Sequence, residues 1–134
     1  MKRDEEIQNG IESAKKRLKR KYNFEFPIPI FIIDGIGAGI RQDKIFLGRE
    51  NPLELIEVLV MHEAYHIIFR IDQVESGSLK KRDERDILPY VEEEMWIWNK
   101  MREDFPDLSG DITSAIIVEM AILKSGDFKT WNPL

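Results

Sequence analysis

The run His62-Glu63-Ala64-Tyr65-His66 holds both histidines of the chain, four residues apart. Residues four apart lie on the same face of an α-helix, so the two imidazoles can point at one metal ion. Glu63 lies one step round the helix. It cannot easily bind the same ion, but it can take a proton from a water that the ion activates. The spacing therefore predicts a zinc site at His62 and His66, with Glu63 as the catalytic base.

A catalytic zinc site needs a third protein ligand, and the absence of cysteine leaves the carboxylates to supply it. Glu92, Glu93 and Glu94 follow Pro89 on a predicted helix. At about 3.6 residues per turn, Glu94 falls inside the apolar stripe of this helix, Glu92 at its edge and Glu93 opposite. The stripe consists of Val91, Met95, Trp98, Met101 and Phe105. We therefore expect Glu94 to be the third ligand, with Glu92 as the alternative.

The elements before the motif are predicted from periodicity and from turn residues. An amphipathic helix is indicated by apolar residues three and four apart, namely Ile7, Ile11, Ala14, Leu18 and Tyr22. Pro27 and Pro29 exclude a helix after it, and β-branched residues favour a strand that ends near Asp34. Residues 35–40 and 44–47 flank the turn-like pair Gln42-Asp43 and predict a hairpin with a glycine-rich first arm.

Three helices are predicted in the rest of the chain. Asn51 is placed as the N-cap of the motif helix, followed by Pro52 and by Glu54 in a capping box, and this helix should end near Arg70. Residues 72–86 are polar and predict a surface connection. The second helix should run from Pro89 to about residue 103, and the third should begin near residue 110. Its apolar stripe consists of Ile112, Ala115, Ile116, Met120 and Leu123. This order predicts one α+β domain over residues 1–134 with a small, mostly antiparallel sheet.

Composition excludes several classes of function. The formal net charge of -5 and the pI near 5.1 argue against broad nucleic-acid binding. The basic run from Lys15 to Lys21 is expected to form the solvated face of the first helix. No apolar run has the length of a signal peptide or a membrane span, so we expect a cytoplasmic protein without a membrane partner.

The motif and the downstream glutamate resemble those of the gluzincin clan of metallopeptidases, and so short a chain is most similar to the minigluzincins. The likeness spans roughly residues 24–105 and extends more distantly to ImmA/IrrE-type and HtpX-like peptidases. It implies a zincin-like domain with Glu94 on a glutamate helix. It also implies an edge strand within residues 35–47 that pairs with an extended protein or peptide substrate.

The chain departs from that pattern in two places. Ile97 and Trp98 stand where larger relatives often carry a small residue and an Asp or Asn. No third histidine can stabilise an oxyanion, which leaves Tyr90, Arg70 or no residue for that role.

Two functions follow from the pattern as hypotheses. The first is a zinc-dependent endopeptidase that acts through Glu63, and the alternative is a zinc-binding regulatory or latent module with little turnover. The apolar tail, with Phe128, Trp131 and Leu134, is expected to pack either on the last helix or in the substrate cleft. Of Trp96 and Trp98, one is expected in the core and one partly exposed.

Overall fold

The computed structural model describes residues 2–41, 44–69 and 88–125, which form four α-helices and a three-stranded sheet. Short 3₁₀ turns, Leu53–Leu55 and Pro106–Leu108, precede the second and fourth helices. The elements are α1 (Lys2–Tyr22), β1 (Ile30–Ile33), β2 (Ala38–Arg41), β3 (Lys44–Gly48), α2 (Ile56–Phe69), α3 (Leu88–Asp104) and α4 (Ser109–Ser125). This order confirms the predicted α+β class. The predicted connection at 72–86 and the apolar tail lie outside the described residues.

Helix α1 packs along α2 through the predicted apolar stripe. Its buried residues are Ile7, Ile11, Ala14 and Leu18. The two backbones come so close at Gly10 that a Cβ there would lie 2.8 Å from Cγ2 of Ile56. Beyond this crossing, Nε of Arg17 donates to Oε2 of Glu57 at 2.6 Å. Helix α1 is thereby fixed against the N-terminal half of the motif helix.

The sheet is mixed, and the prediction of a mostly antiparallel sheet was wrong. Strand β3 lies in the centre, parallel to β1 and antiparallel to β2. The central position suits β3 because Ile45, Phe46 and Leu47 are buried in succession, so both faces of this strand are covered. Strands β1 and β2 follow each other in the chain but do not pair, because β3 lies between them. The hairpin of β2 and β3 was predicted correctly.

Asn51 does not cap the motif helix, contrary to the prediction. The 3₁₀ turn before α2 has Pro52 at its cap position with no side-chain cap bond. The Asn51 side chain is buried and instead accepts from the Gly37 N–H at 2.7 Å and donates to the Gly37 and Gly48 carbonyls at 2.9 and 2.8 Å. Gly37 has a φ of 95°, a left-handed conformation that glycine adopts readily. Asn51 thus fixes the bend that leads into β2.

Helices α3 and α4 pack against α2 and complete the core. The buried face of α3 includes Ile97, Trp98, Met101 and Phe105, while Met95 is only partly buried. This face is therefore turned slightly from the predicted stripe, because α3 contacts both α2 and α4. Trp98 is buried and Trp96 is half exposed, which confirms the expectation for the two tryptophans. No helix in the described ranges is long and apolar enough to cross a membrane.

Candidate metal centre

The motif helix α2 lies in the middle of the domain and is covered on almost all sides. Between Ile56 and His66, every residue except Glu57 is buried. Neighbours on several sides explain this, because α1, α4 and the strands β2 and β3 all contact α2. His62 and His66 are 3% and 8% exposed, and Glu63 is 6% exposed. All three polar residues of the motif are therefore held in the core, where a polar side chain needs a partner.

Helix α3 brings Glu94 to the two histidines. Oε1 of Glu94 lies 2.9 Å from Nε2 of His66, and Oε2 is in hydrogen-bond contact with Nε2 of His62. One ligand atom from each residue lies within 4.8 Å of the others. The carboxylate is 3% exposed. The structure thus gathers His62, His66 and Glu94 into one buried group that could hold a metal ion.

The charge of Glu94 is set by two opposing effects. Burial alone would raise its pKa, but the charges and hydrogen bonds of His62 and His66 outweigh that effect. They hold the pKa of Glu94 well below its usual value, so the carboxylate stays ionised. An ionised carboxylate between two imidazole nitrogens is a donor set that zinc binds in proteins.

Glu92 and Glu93, the two residues before Glu94 in the chain, differ in burial. Glu92 is exposed, so it lies away from the two histidines on the solvent side of α3. Glu93 is only 6% exposed, and the prediction that it faces solvent opposite the apolar stripe was wrong. The reason is that α3 packs against two helices, which widens its buried face beyond a single stripe.

The indole ring of Trp98 packs against the face of the His62 imidazole. The indole and imidazole rings stack, with centroids 3.9 Å apart and an angle of 27° between their planes. Nε1 of Trp98 donates to Oε2 of Glu119 on α4 at 2.7 Å. Glu119 also makes a side-chain hydrogen bond with Glu94, so its carboxyl contacts the metal-binding group. Burial and the negative charge of Glu94 raise the pKa of Glu119 to about 8.

Sequence reasoning missed Glu119, although a signal for it existed. Ile112, Ala115 and Ile116 define the apolar stripe of α4, and Glu119 follows them at the spacing of seven, four and three residues that continues a helical stripe. A carboxylate inside an apolar stripe is costly without a compensating partner. Glu119 lies in the stripe of α4 as Glu94 lies in the stripe of α3, so both carboxylates are predicted to have a partner in the core.

Of the remaining predicted site residues, only Glu63 has a described side chain. Glu63 is placed on α2 directly after His62 and is buried. Arg70 lies outside the described residues, and only the backbone of Tyr90 is described. The oxyanion role considered for those two residues stays a prediction.

Comparison of the chain with protein-family models, with curated proteins and with solved structures gives no match. The likeness to gluzincins therefore rests on the motif, the downstream glutamate and the order of the elements. The geometry establishes a buried group of two histidines and one glutamate that could bind a metal.

Proposed function

We propose that this protein is a zinc-dependent endopeptidase of the gluzincin type. The proposal is carried by one observation, the convergence of His62, His66 and Glu94 in one buried group, with the buried Glu63 next to His62 in the motif helix. Two imidazoles and one carboxylate are the protein ligands of many catalytic zinc sites. When bound, zinc would polarise a peptide carbonyl and make a water molecule more acidic.

Three of these side chains would bind the metal ion, and the fourth would transfer protons. His62, His66 and Glu94 would hold the ion, since their donor atoms already converge. Glu63 follows His62 on the same helix and does not belong to that donor group. Its carboxylate would accept a proton from the attacking water and return it to the nitrogen of the leaving group. Metal binding by His62 and proton transfer by Glu63 would explain why the motif has a histidine followed by a glutamate.

The outer edge of β2 is the proposed substrate site. Strand β2 contacts the motif helix and pairs only with β3, so its other edge is unpaired within the described residues. Ile40 on this strand is 39% exposed. An extended peptide could add to this edge through main-chain hydrogen bonds, which suits substrates without stable structure.

The test combines metal analysis with a change at Glu63. We expect the purified protein to contain one zinc per chain and to cleave a fluorescently labelled unstructured protein. Glu63→Gln should retain zinc and lose activity by a factor of at least about 100, because the general base is removed. Glu92→Gln is the matched control, since Glu92 is exposed. Equal activity of the Glu63→Gln and wild-type proteins would contradict the proposal.

The burial of the donor group favours a second candidate, a zinc-binding regulatory or latent module. His62, His66 and Glu94 are at most 8% exposed, whereas turnover requires access for a peptide. In this case zinc would stabilise the fold, and the wild-type protein would be inactive. Removal of zinc by a chelator would lower the melting temperature, and Glu63→Gln would melt like the wild type. Cleavage that is lost in Glu63→Gln would exclude this candidate.

A further inference from the structure

Trp98 connects the first histidine of the motif to a carboxylate on the last helix. It lies one turn after Glu94, on the same face of α3. Its indole ring covers the imidazole of His62 at a centroid distance of 3.9 Å. Its Nε1–H donates to Oε2 of Glu119 at 2.7 Å. With an exposure of 1%, the indole is enclosed and its orientation is defined by these contacts.

The orientation of the His62 imidazole depends on this stacking contact because its Nδ1 makes no hydrogen bond within the described residues. Metal-binding histidines are commonly oriented by a hydrogen bond from the second ring nitrogen to a carboxylate or a carbonyl. Nδ1 of His62 is buried and has no hydrogen-bond partner within the described part of the chain. Apart from the contact of Nε2 with Glu94, the plane of the imidazole is therefore set by packing, and the indole of Trp98 stacks against it.

We propose that Trp98 and Glu119 are positioning residues of the metal centre. Glu119 fixes the indole plane through the Nε1–H of Trp98, and the indole fixes the imidazole of His62 with Nε2 directed at Glu94. This arrangement replaces the usual hydrogen bond to the outer nitrogen of a metal-binding histidine. The inference rests on the metal site of the proposed function, but it does not require peptidase activity.

The role of Glu119 is specific because simple packing does not need a carboxylate. Glu119 continues the apolar stripe of α4, where a leucine would fill the space and avoid the cost of burying a polar group. A glutamate at this place supplies an acceptor for the indole N–H, which an aliphatic side chain cannot do. Glutamine also supplies an acceptor of similar size, so it keeps the hydrogen bond to the indole while it removes the carboxyl group.

The experiment measures zinc affinity by competition with a chromophoric chelator for the full-length protein and its variants. Glu119→Leu should weaken zinc binding by about 10-fold or more, as loss of outer-shell partners does. Glu119→Gln should bind zinc nearly as well as the wild type. Trp98→Phe, which keeps a ring but loses the donor, should weaken binding as Glu119→Leu does. The double variant Trp98→Phe/Glu119→Leu should be no weaker than either single variant.

A second measurement needs no metal and separates positioning from stability. In a Trp96→Phe/Trp131→Phe background, Trp98 is the remaining tryptophan, and its fluorescence reports the environment of the indole. We expect Glu119→Leu to lower the fluorescence anisotropy of the metal-free protein and Glu119→Gln to leave it unchanged. Ile116→Val on the same helix is the matched packing control, which should lower the melting temperature and leave zinc affinity unaltered.

The outcomes distinguish this inference from the metal site on which it rests. Wild-type zinc affinity in Glu119→Leu would overturn the inference while the metal site stands. Equal weakening by Glu119→Gln and Glu119→Leu would also overturn it, because the carboxyl group itself and not the hydrogen bond to the indole would then matter. A wild-type chain that binds no zinc would overturn the metal site and this inference together.

Discussion

The hydroxyl of Tyr65 donates a hydrogen bond to Oδ2 of Asp104 at 2.7 Å and joins the motif helix to the last turn of α3. The hydroxyl of Tyr22, at the end of α1, donates to the same oxygen. Lys21 and Lys100 lie 3.9 and 3.7 Å from the other oxygen. The carboxylate of Asp104 thus joins α1, α2 and α3. It lies at the C-terminal end of α3, whereas Glu94 lies in the N-terminal half of that helix. It fixes the relative position of the two helices that carry the metal-binding group.

Asp104→Ala should destabilise the protein strongly. The change leaves the hydroxyls of the buried Tyr65 and the partly buried Tyr22 without their acceptor, which we expect to lower the free energy of unfolding by roughly 2–4 kcal/mol. Asp104→Asn keeps an acceptor oxygen and should cost less. Urea unfolding followed by circular dichroism measures both, and Glu103→Ala, an exposed neighbour, is the control. Equal urea midpoints for Asp104→Ala and Glu103→Ala would show that this contact does not hold the helices together.

The pH dependence of Tyr22 follows from the same contact. Burial raises the pKa of Tyr22 to about 12, and the hydrogen bond to Asp104 adds to this effect. A pKa raised in the folded state contributes stability below the unfolded value of about 10, and this stability is lost as pH rises from there through 12. The urea midpoint should therefore fall over this range in the wild type, and less in Tyr22→Phe.

Absorbance of the tyrosinate gives the direct measurement. The chain has three tyrosines, so Tyr90→Phe leaves only Tyr22 and Tyr65. Both should ionise above pH 10, since burial raises the pKa of Tyr65 as well. Asp104→Asn should bring the ionisation of Tyr22 closer to that of free tyrosine. Two tyrosines that titrate together near pH 10 in the folded protein would refute the predicted shift.

Zinc content should depend on three named residues. His62→Ala, His66→Ala and Glu94→Ala should each lower the measured stoichiometry from one zinc per chain towards zero, because a site with two ligands leaves the ion mostly to water. Glu92→Ala should keep full stoichiometry, since that side chain is exposed. Atomic emission on dialysed protein provides the measurement. Loss of zinc in Glu92→Ala with retention in Glu94→Ala would mean that the wrong glutamate was assigned.

Zinc removal should also lower the thermal stability of the wild type. Binding to the folded state alone stabilises it by mass action, so a chelator should reduce the melting temperature of the wild type and leave that of Glu94→Ala unchanged. A shift of equal size in both proteins would place the stabilising metal elsewhere.

The open edge of β2 gives a prediction about substrate binding. The N–H of Gly48 donates to the carbonyl of Gly37, and hydrogen-bonded pairs alternate along an antiparallel ladder, so the main-chain groups of Ile40 face away from β3. Ile40→Pro removes one outward N–H without a loss inside the sheet. If a substrate pairs there, its KM should rise roughly fivefold, as for the loss of about 1 kcal/mol.

The control for this prediction keeps the backbone donor. Ile40→Thr removes the apolar side chain but retains the N–H, so its KM should stay closer to that of the wild type. Zinc content should be the same in both variants. The same KM for Ile40→Pro and Ile40→Thr would argue against main-chain pairing at this edge.

The sequence by itself determined the features that depend on helical periodicity. His62 and His66 lie on one helix face because they are four residues apart, whatever the rest of the chain does. The position of Glu94 was equally predictable, since a carboxylate within an apolar stripe points towards the core. The buried residues of α1 also follow directly from their spacing. These relations are local, so they can be predicted without knowledge of the fold.

Tertiary structure decided what depends on contacts between distant segments. The stripe of α3 gave no reason to bury Glu93, and its burial follows from the tertiary packing around α3. Asn51 does not cap the helix, because its amide makes two hydrogen bonds to the distant Gly37 and one to Gly48, which satisfy it more fully than one cap bond would. Glu119 became a neighbour of Glu94 only when α4 packed beside α3. Periodicity fixes which face of a helix is apolar, but the partner of that face is set by the free energy of the whole core.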